Sequence, residues 1–239
     1  MKKILSMLLV LCMALTLCSA AFAEGKSPVD GMTVAFIPKV SGNSFFEAAN
    51  DGAQKYAADW GLTVDYIGAP PADVTTQLEL IQQAIDKGVD AICISSVDAT
   101  GLDEKLQEAQ DAGIYVSTWD SDVSPNARAL MVSQGTADVL GPMLVDMAVE
   151  SLKERGVDVN GEVKYVWHFS NPSVSDQNSW YVAGDKYIKE KYPSWVAVHD
   201  PYYSNQDPAQ SVSVGESILD AYADVDVIIC NDSTALPGQ

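Results

Sequence analysis

Residues 91–119 read AICISSVDATGLDEKLQEAQDAGIYVSTW. Ala91 to Ser95 is an apolar run of strand length. Thr100 offers a helix cap ahead of Leu102, Leu106 and Ala109, which recur at helical spacing, and Gly113 stops that helix. Ile114 to Trp119 is a second apolar strand. Two strands with little polar alternation, joined by one amphipathic helix, belong to a parallel sheet covered on both faces.

The same alternation extends in both directions. Upstream, Thr33 to Pro38 reads as a strand. It is followed by a helix from Ser44 to Trp60 with Phe45, Ala49, Ala53, Tyr56 and Trp60 on one face. Leu62 to Gly68 is the next strand. Asp73 then caps a helix carrying Val74, Leu78, Ile81 and Ile85, which Lys87-Gly88 ends. Downstream the pattern restarts. Ala129 to Ser133 is a short strand, and Ala137 to Arg155 a helix with Leu140, Met143, Leu144, Met147 and Leu152 on its stripe. Strands over Val163 to Phe169, Trp195 to Tyr202 and Val225 to Cys230 alternate with helices over Ser175 to Tyr192 and Asp207 to Tyr222. The expectation is an α/β chain of two Rossmann-like lobes with parallel sheets, 24–134 and 135–239. Asn231-Asp232-Ser233 reads as a strand exit and helix cap. No helix is completed before Gln239, so the second lobe is expected to be incomplete.

The first residues predict export. Lys2 and Lys3 precede an apolar run from Ile4 to Leu17, and Ala21-Phe22-Ala23 supplies a small-x-small cleavage site, so residues 1–23 read as a cleaved signal peptide. The run is shorter than the roughly 20 residues a membrane span needs. The expected location is the periplasm or the outer cell surface. The chain of 239 residues has a formal net charge of −19, and cleavage removes two lysines and no acid. Such a surface disfavours nucleic acid and anionic lipid. Cleavage also removes two of the four cysteines. Cys93 and Cys230 remain, each inside an apolar strand-like run, where a free thiol behaves as a small apolar residue. Two cysteines and two scattered histidines do not make a metal site, and no cofactor is expected.

In open α/β sheets ligands bind beyond the carboxyl ends of the strands. The candidate residues are therefore those that follow each strand. Pro38-Lys39 and Phe45-Phe46 follow the first strand, and Trp119-Asp120-Ser121-Asp122 follows the fourth. Ser175-Asp176-Gln177 lies beyond Phe169, and Asn231-Asp232-Ser233 beyond Cys230. Asp120 and Asp176 can accept from ligand hydroxyls, and Lys39 and Gln177 can donate. Phe45, Phe46 or Trp119 can cover apolar C–H faces. Each has a plainer reading. Asp176 or Ser175 can cap a helix, Asp122 can be a turn residue, and Trp119 and Phe46 can be core. No nucleophile elbow, P-loop or dinucleotide fingerprint is present. Asp120 and Asp176 alone are a thin case for a glycosidase pair, so no enzyme is expected.

At these strand ends the sequence resembles the autoinducer 2 binding proteins of Lsr-type importers and their rhamnose- and sugar-binding relatives. The resemblance is carried by Ile37-Pro38-Lys39 with Gly42 and Phe45-Phe46, by Thr118 to Asp122, and by Gln134-Gly135-Thr136. It continues in Gly141 to Ala148, Ser175 to Asn178 with Trp180, and Ala235-Leu236-Pro237. It implies a type I periplasmic binding protein fold, a small sugar or furanose-like ligand, and a monomer of two lobes and a hinge. It further implies an ABC importer permease as partner, with a chemoreceptor as a second reader; the alternative is a sensor coupled to a receptor without transport. In those proteins the ligand residues match Lys39, Asp120, Asp176 and Gln177. Asn231 and Ser233 stand where that pattern has proline and alanine, which favours a more hydroxylated sugar. The relatives carry further βα units of about 30 residues each after this point.

Overall fold

The structure, a computed structural model, describes residues 27–238. The expected signal peptide, residues 1–23, lies outside the described residues. The elements follow in chain order: β1 (Thr33–Ile37), α1 (Ser44–Trp60), β2 (Thr63–Tyr66), α2 (Val74–Lys87), β3 (Ala91–Ile94), α3 (Asp103–Asp111), β4 (Tyr115–Trp119) and β5 (Leu130–Val132). A second series comprises α4 (Ala137–Glu154), β6 (Lys164–Phe169), α5 (Ser175–Lys191), β7 (Val196–Ala197), β8 (Tyr202–Tyr203), α6 (Pro208–Ala221) and β9 (Val227–Cys230). Two parallel sheets result. The first has the order β2-β1-β3-β4-β5. In the second, β6 is central, with β7 and β8 along one edge and β9 on the other.

Alternation along the strands assigns the layers of the first lobe. Ala35, Ile37, Ile92, Ile94 and Val116 form one core with Leu80, Ile81 and Ala84 of α2 and Leu106 and Ala109 of α3. Phe36 and Cys93 point the other way, to Phe46, Ala49 and Ala53 of α1. Each fully buried isoleucine or leucine contributes about 1.5–3 kcal/mol relative to exposure. In the second lobe Tyr165, Trp167 and Phe169 of β6 meet Val145, Val149 and Leu152 of α4 and Ile188 of α5.

Several local expectations change. On α1 the inward face is Phe46, Ala49, Ala53 and Ala57, and Tyr56 and Trp60 are exposed. The α3 turn is held by Asp98, which accepts from the backbone N–H groups of Thr100 (3.0 Å) and Gly101 (2.8 Å); Thr100 does not cap the helix. On α4, Met143 and Met147 face outward, and the buried side is Gly141, Val145, Ala148, Val149 and Leu152. The cause is close packing against α5. A Cβ on Gly141 would lie 2.6 Å from the Gly184 nitrogen and from the Trp180 carbonyl oxygen, so this interface takes small residues and turns the long methionines away. The strand expected from Trp195 to Tyr202 is broken. Val196–Ala197 pair with Lys164–Tyr165, and Tyr202–Tyr203 with His168–Phe169, so β7 and β8 carry two more residues between them than β6 does. That is a bulge in an edge strand. Asn43, Asp73 and Asp207 cap α1, α2 and α6 through their side chains.

Candidate functional site

The carboxyl ends of β1, β4, β6 and β9 converge between the two sheets. Lys39 lies two residues beyond β1. Asp120 follows β4 directly, with φ +60°, a left-handed backbone that aspartate tolerates better than most residues. Asp176 and Gln177 occupy the first turn of α5. Lys39, Asp120 and Asp176 are 2, 6 and 8% exposed.

Lys39 is the centre of the arrangement. Its Nζ lies 3.0 Å from Asp120 Oδ2 and 3.1 and 3.0 Å from the two carboxylate oxygens of Asp176. Asp120 also accepts from Ser95 Oγ at 2.6 Å and from Gln134 Nε2. Asp176 accepts from Ser121 Oγ at 2.7 Å. Burial alone would lower the Lys39 pKa, but Asp176 and Asp120 outweigh it and hold the ammonium above the ordinary lysine value. Asp176 is held above the ordinary carboxylate range, first by its burial and further by Asp120, against the partial relief given by Lys39 and Ser121. The asymmetry is physical. One cation faces two acids, so the cation is fully compensated and the acids are not.

Neither Asp176 nor Ser175 caps α5 through its side chain. Ser175 Oγ instead donates to the Asp122 carbonyl (3.0 Å) and accepts from the Asp122 N–H (2.9 Å). Asp122 forms a two-point ion pair with Arg128, and Trp119 stacks on Phe36 in the core at 4.7 Å. Gln177 accepts from the Ser170 N–H at 3.0 Å and donates to Asp232 Oδ2 at 2.9 Å. Asp232 Oδ1 accepts from the N–H groups of Thr234 and Ala235, so Asp232, rather than Ser233, caps the turn after β9. Asn231 Nδ2 donates to the Gln177 carbonyl at 2.8 Å, while its buried Oδ1 has no partner. Ser233 is exposed at the rim. It exchanges hydrogen bonds with Asn43, which also donates to Thr234 Oγ1 at 2.9 Å. With the Ala99 N–H bonded to the Ser173 carbonyl at 3.0 Å, these contacts hold the two lobes together in a closed arrangement.

A cavity of about 120 Å³ remains inside. It is smaller than the roughly 300–1,000 Å³ of drug-sized sites, which suits one small molecule. Lys39, Phe45, Phe46 and Asp120 line it from the first lobe, and Asp176, Gln177, Asn231 and Ser233 from the second. Eight of the residues singled out in the sequence thus meet around one space, while Trp119, Ser121, Asp122, Ser175 and Asp232 do not line it. Phe45 and Phe46 present rings in an edge-to-face pair at 5.1 Å. Three further residues line it: Gln134 and Trp180, which the sequence reading named only as carriers of the resemblance, and Gln206, which it did not name. Trp180 sits one turn after Asp176 on α5, a spacing that could have flagged it. Gln134 lies two residues past β5. Gln206 carries no sequence signal, because its position depends on a turn.

A wall of carboxylates, one lysine, carboxamides and aromatic rings at the junction of two parallel sheets has the chemistry to receive a small polar molecule. The chain belongs to the periplasmic binding protein family, whose domain model matches residues 34–239. Among solved structures it is similar to LsrB from Clostridium saccharobutylicum in complex with AI-2, at 59% identity and a TM-score of 0.86, covering 87% of this chain and 64% of that one. A D-ribose/D-allose-binding protein of Pseudomonas aeruginosa is 28% identical over 132 residues, 52% of this chain and 41% of that protein. A D-apiose import binding protein of Actinobacillus succinogenes is 27% identical over 231 residues, 95% of this chain and 69% of the relative. The chain therefore spans less than two thirds of the LsrB chain and of the ribose/allose-binding protein.

Proposed function

We propose that this chain is the solute-binding subunit of an ABC-type importer, that it works outside the cytoplasmic membrane, and that it holds autoinducer 2 or a closely related small sugar between lobes formed by residues 24–134 and 135–239. The observation that carries this reading is the Lys39 bridge. A single ammonium from the first lobe joins Asp120 of its own lobe to Asp176 of the other, beside a small cavity rimmed by Phe45 and Phe46. Carboxylates accept from ligand hydroxyls, and the rings cover the C–H face. Ligand that bridges both walls favours the closed state. The similarity to an AI-2-bound LsrB supports autoinducer 2 as the first ligand to test. Ser233, a residue that by sequence favoured a more hydroxylated sugar, already has a protein partner in Asn43. That weakens the case against autoinducer 2.

The test is mass spectrometry of small molecules released from the full-length protein purified without added ligand, joined to calorimetric titration with autoinducer 2, L-rhamnose, D-ribose and D-arabinose. One of these is expected to bind with a 1:1 stoichiometry. A protein that releases no such molecule and titrates with none of them would overturn the reading.

A further inference from the structure

Gln77 stands on the buried side of α2 with Leu80, Ile81 and Ala84, and it is 2% exposed. A carboxamide set in an apolar face needs partners for its donor hydrogens and its acceptor oxygen. Gln77 finds them all in backbone. Its Nε2 donates to the Pro38 carbonyl at 3.0 Å and to the Ser95 carbonyl at 2.7 Å. Its Oε1 accepts from the Val97 N–H at 2.9 Å. Two carbonyls on one side and an N–H on the other fix which way the amide points.

These partners lie where β1 and β3 leave the sheet. The ladder between the two strands ends at Ile37 and Ile94, and the Ser95 N–H makes one further bond to the Ile37 carbonyl at 2.9 Å. Pro38 then has no N–H to continue the ladder, and the Pro38 and Ser95 carbonyls are met by the α2 side chain instead. Lys39 is the next residue after Pro38, and Ser95 Oγ donates to Asp120 Oδ2 at 2.6 Å. One carboxamide thus ties to α2 both the backbone that carries the Lys39 ammonium and the residue that holds the Asp120 carboxylate. Gln77 itself does not line the cavity.

We propose that Gln77 is a positioning residue for ligand binding. It pins the backbone beyond β1 and β3, and so sets where Lys39 and Asp120 meet the bound molecule without touching that molecule. The proposal rests on the reading of Lys39 and Asp120 as part of the ligand site. Groups that bind by directed hydrogen bonds must be held within about 0.5 Å of their productive positions, and a polar tie across two strand exits supplies that restraint where the ladder has ended.

The test uses the full-length protein and three variants. Gln77→Met keeps length and bulk but loses the amide. Gln77→Glu keeps an acceptor for the Val97 N–H. Ionised, it sets charge against two carbonyl oxygens; protonated, it can donate to one of them. Burial and those oxygens raise its pKa above the ordinary glutamate value of about 4.3. Ile81→Val trims the same buried side of α2 without touching a strand exit. Each is titrated calorimetrically with whichever of autoinducer 2, L-rhamnose, D-ribose and D-arabinose the unmodified protein binds most tightly.

The Met and Glu variants are expected to bind roughly tenfold or more weakly at neutral pH. Relative to the unmodified protein, the deficit of the Glu variant narrows as pH falls from about 8 to about 5, while that of the Met variant does not. The titrations of Asp120 and Asp176 are common to all these proteins and drop out of the comparison. Ile81→Val lowers the melting temperature and keeps its affinity. A Met variant that binds as tightly as the unmodified protein overturns the proposal. So does an Ile81→Val variant with the same loss of affinity, because lost stability would then account for the effect. A Glu deficit that stays constant with pH overturns it too, because the ties to the backbone carbonyls would then not matter for binding. If the unmodified protein binds none of the four, the sugar reading itself fails and this proposal with it.

Discussion

Asp176 is an acid that the fold both needs and strains. It supplies the second lobe's side of the Lys39 bridge, and its burial beside Asp120 disfavours its charged form. A carboxyl whose folded pKa is raised leaves stability intact below its unfolded value. It costs stability progressively as pH rises from there through the raised value. Asp176→Asn removes that cost and leaves Lys39 paired one-to-one with Asp120. Loss of the inter-lobe ion pair works against that gain, so the expected signature is the trend: the melting temperature of the variant relative to the unmodified protein rises as pH rises from about 4. Its ligand affinity should fall by about 1–3 kcal/mol, the cost of hydroxyls left without their acceptor. Thermal melts across pH and calorimetry read the two effects separately, and a relative melting temperature that falls with rising pH would contradict the argument. Eight of the eleven cavity residues were named as candidates in the sequence because each follows a strand, and strand ends converge in this fold class. Their individual partners were not. Ser233 meets Asn43, 190 residues away in the chain, and nothing local to either residue signals the pair.

α4 and α5 show how packing positions chemistry. They approach closely enough that Gly141 and Gly184 leave no room for a side chain. A Cβ on Gly184 would lie 2.8 Å from the Trp167 ring. α5 also carries Asp176, Gln177 and Trp180 into the cavity. Gly141→Ala must push α5 away from α4, because the atoms it meets are mostly backbone. The expected loss is about 1–3 kcal/mol of stability, accompanied by weaker ligand binding, although Gly141 does not line the cavity. Stability lost with affinity unchanged would mean that α5 relaxes without moving its first turn. The helix limits were readable from periodicity and caps to within a residue or two for α1, α2 and α4. The buried faces of α1 and α4 were readable in part: Ala49, Ala53, Leu144 and Leu152 pack inward as expected, whereas Tyr56, Trp60, Met143 and Met147 face outward. The break between β7 and β8 does leave a mark, His199-Asp200-Pro201 in the middle of the expected strand, where proline cannot donate to a ladder.

At the scale of the molecule, two lobes are closed on each other by buried polar contacts, while other surfaces remain open. β5 exposes Leu130 and Val132 at the edge of the first sheet, and α4 exposes Val139, Met143 and Met147. β9, at an edge of the second sheet, pairs with β6 alone among the described residues. An unpaired edge and an apolar face favour self-association. A polypeptide of residues 24–239 is expected to bind a hydrophobic dye and to form oligomers on size-exclusion chromatography. A cooperative melt from a monomer that binds no dye would show that these surfaces are tolerated as they stand.

The Lys39 bridge also sets what the cleft refuses. Its one cation is already shared between two carboxylates, and a third, Asp232, lies behind Gln177. A phosphate ester or a sugar acid would bring its charge against those oxygens with no free cation to receive it, in a space where water screens little. A neutral polyol brings hydroxyls that can donate to those oxygens without adding charge. On the proposed function, the site would sort candidate ligands by charge before it reads any pattern of hydroxyls.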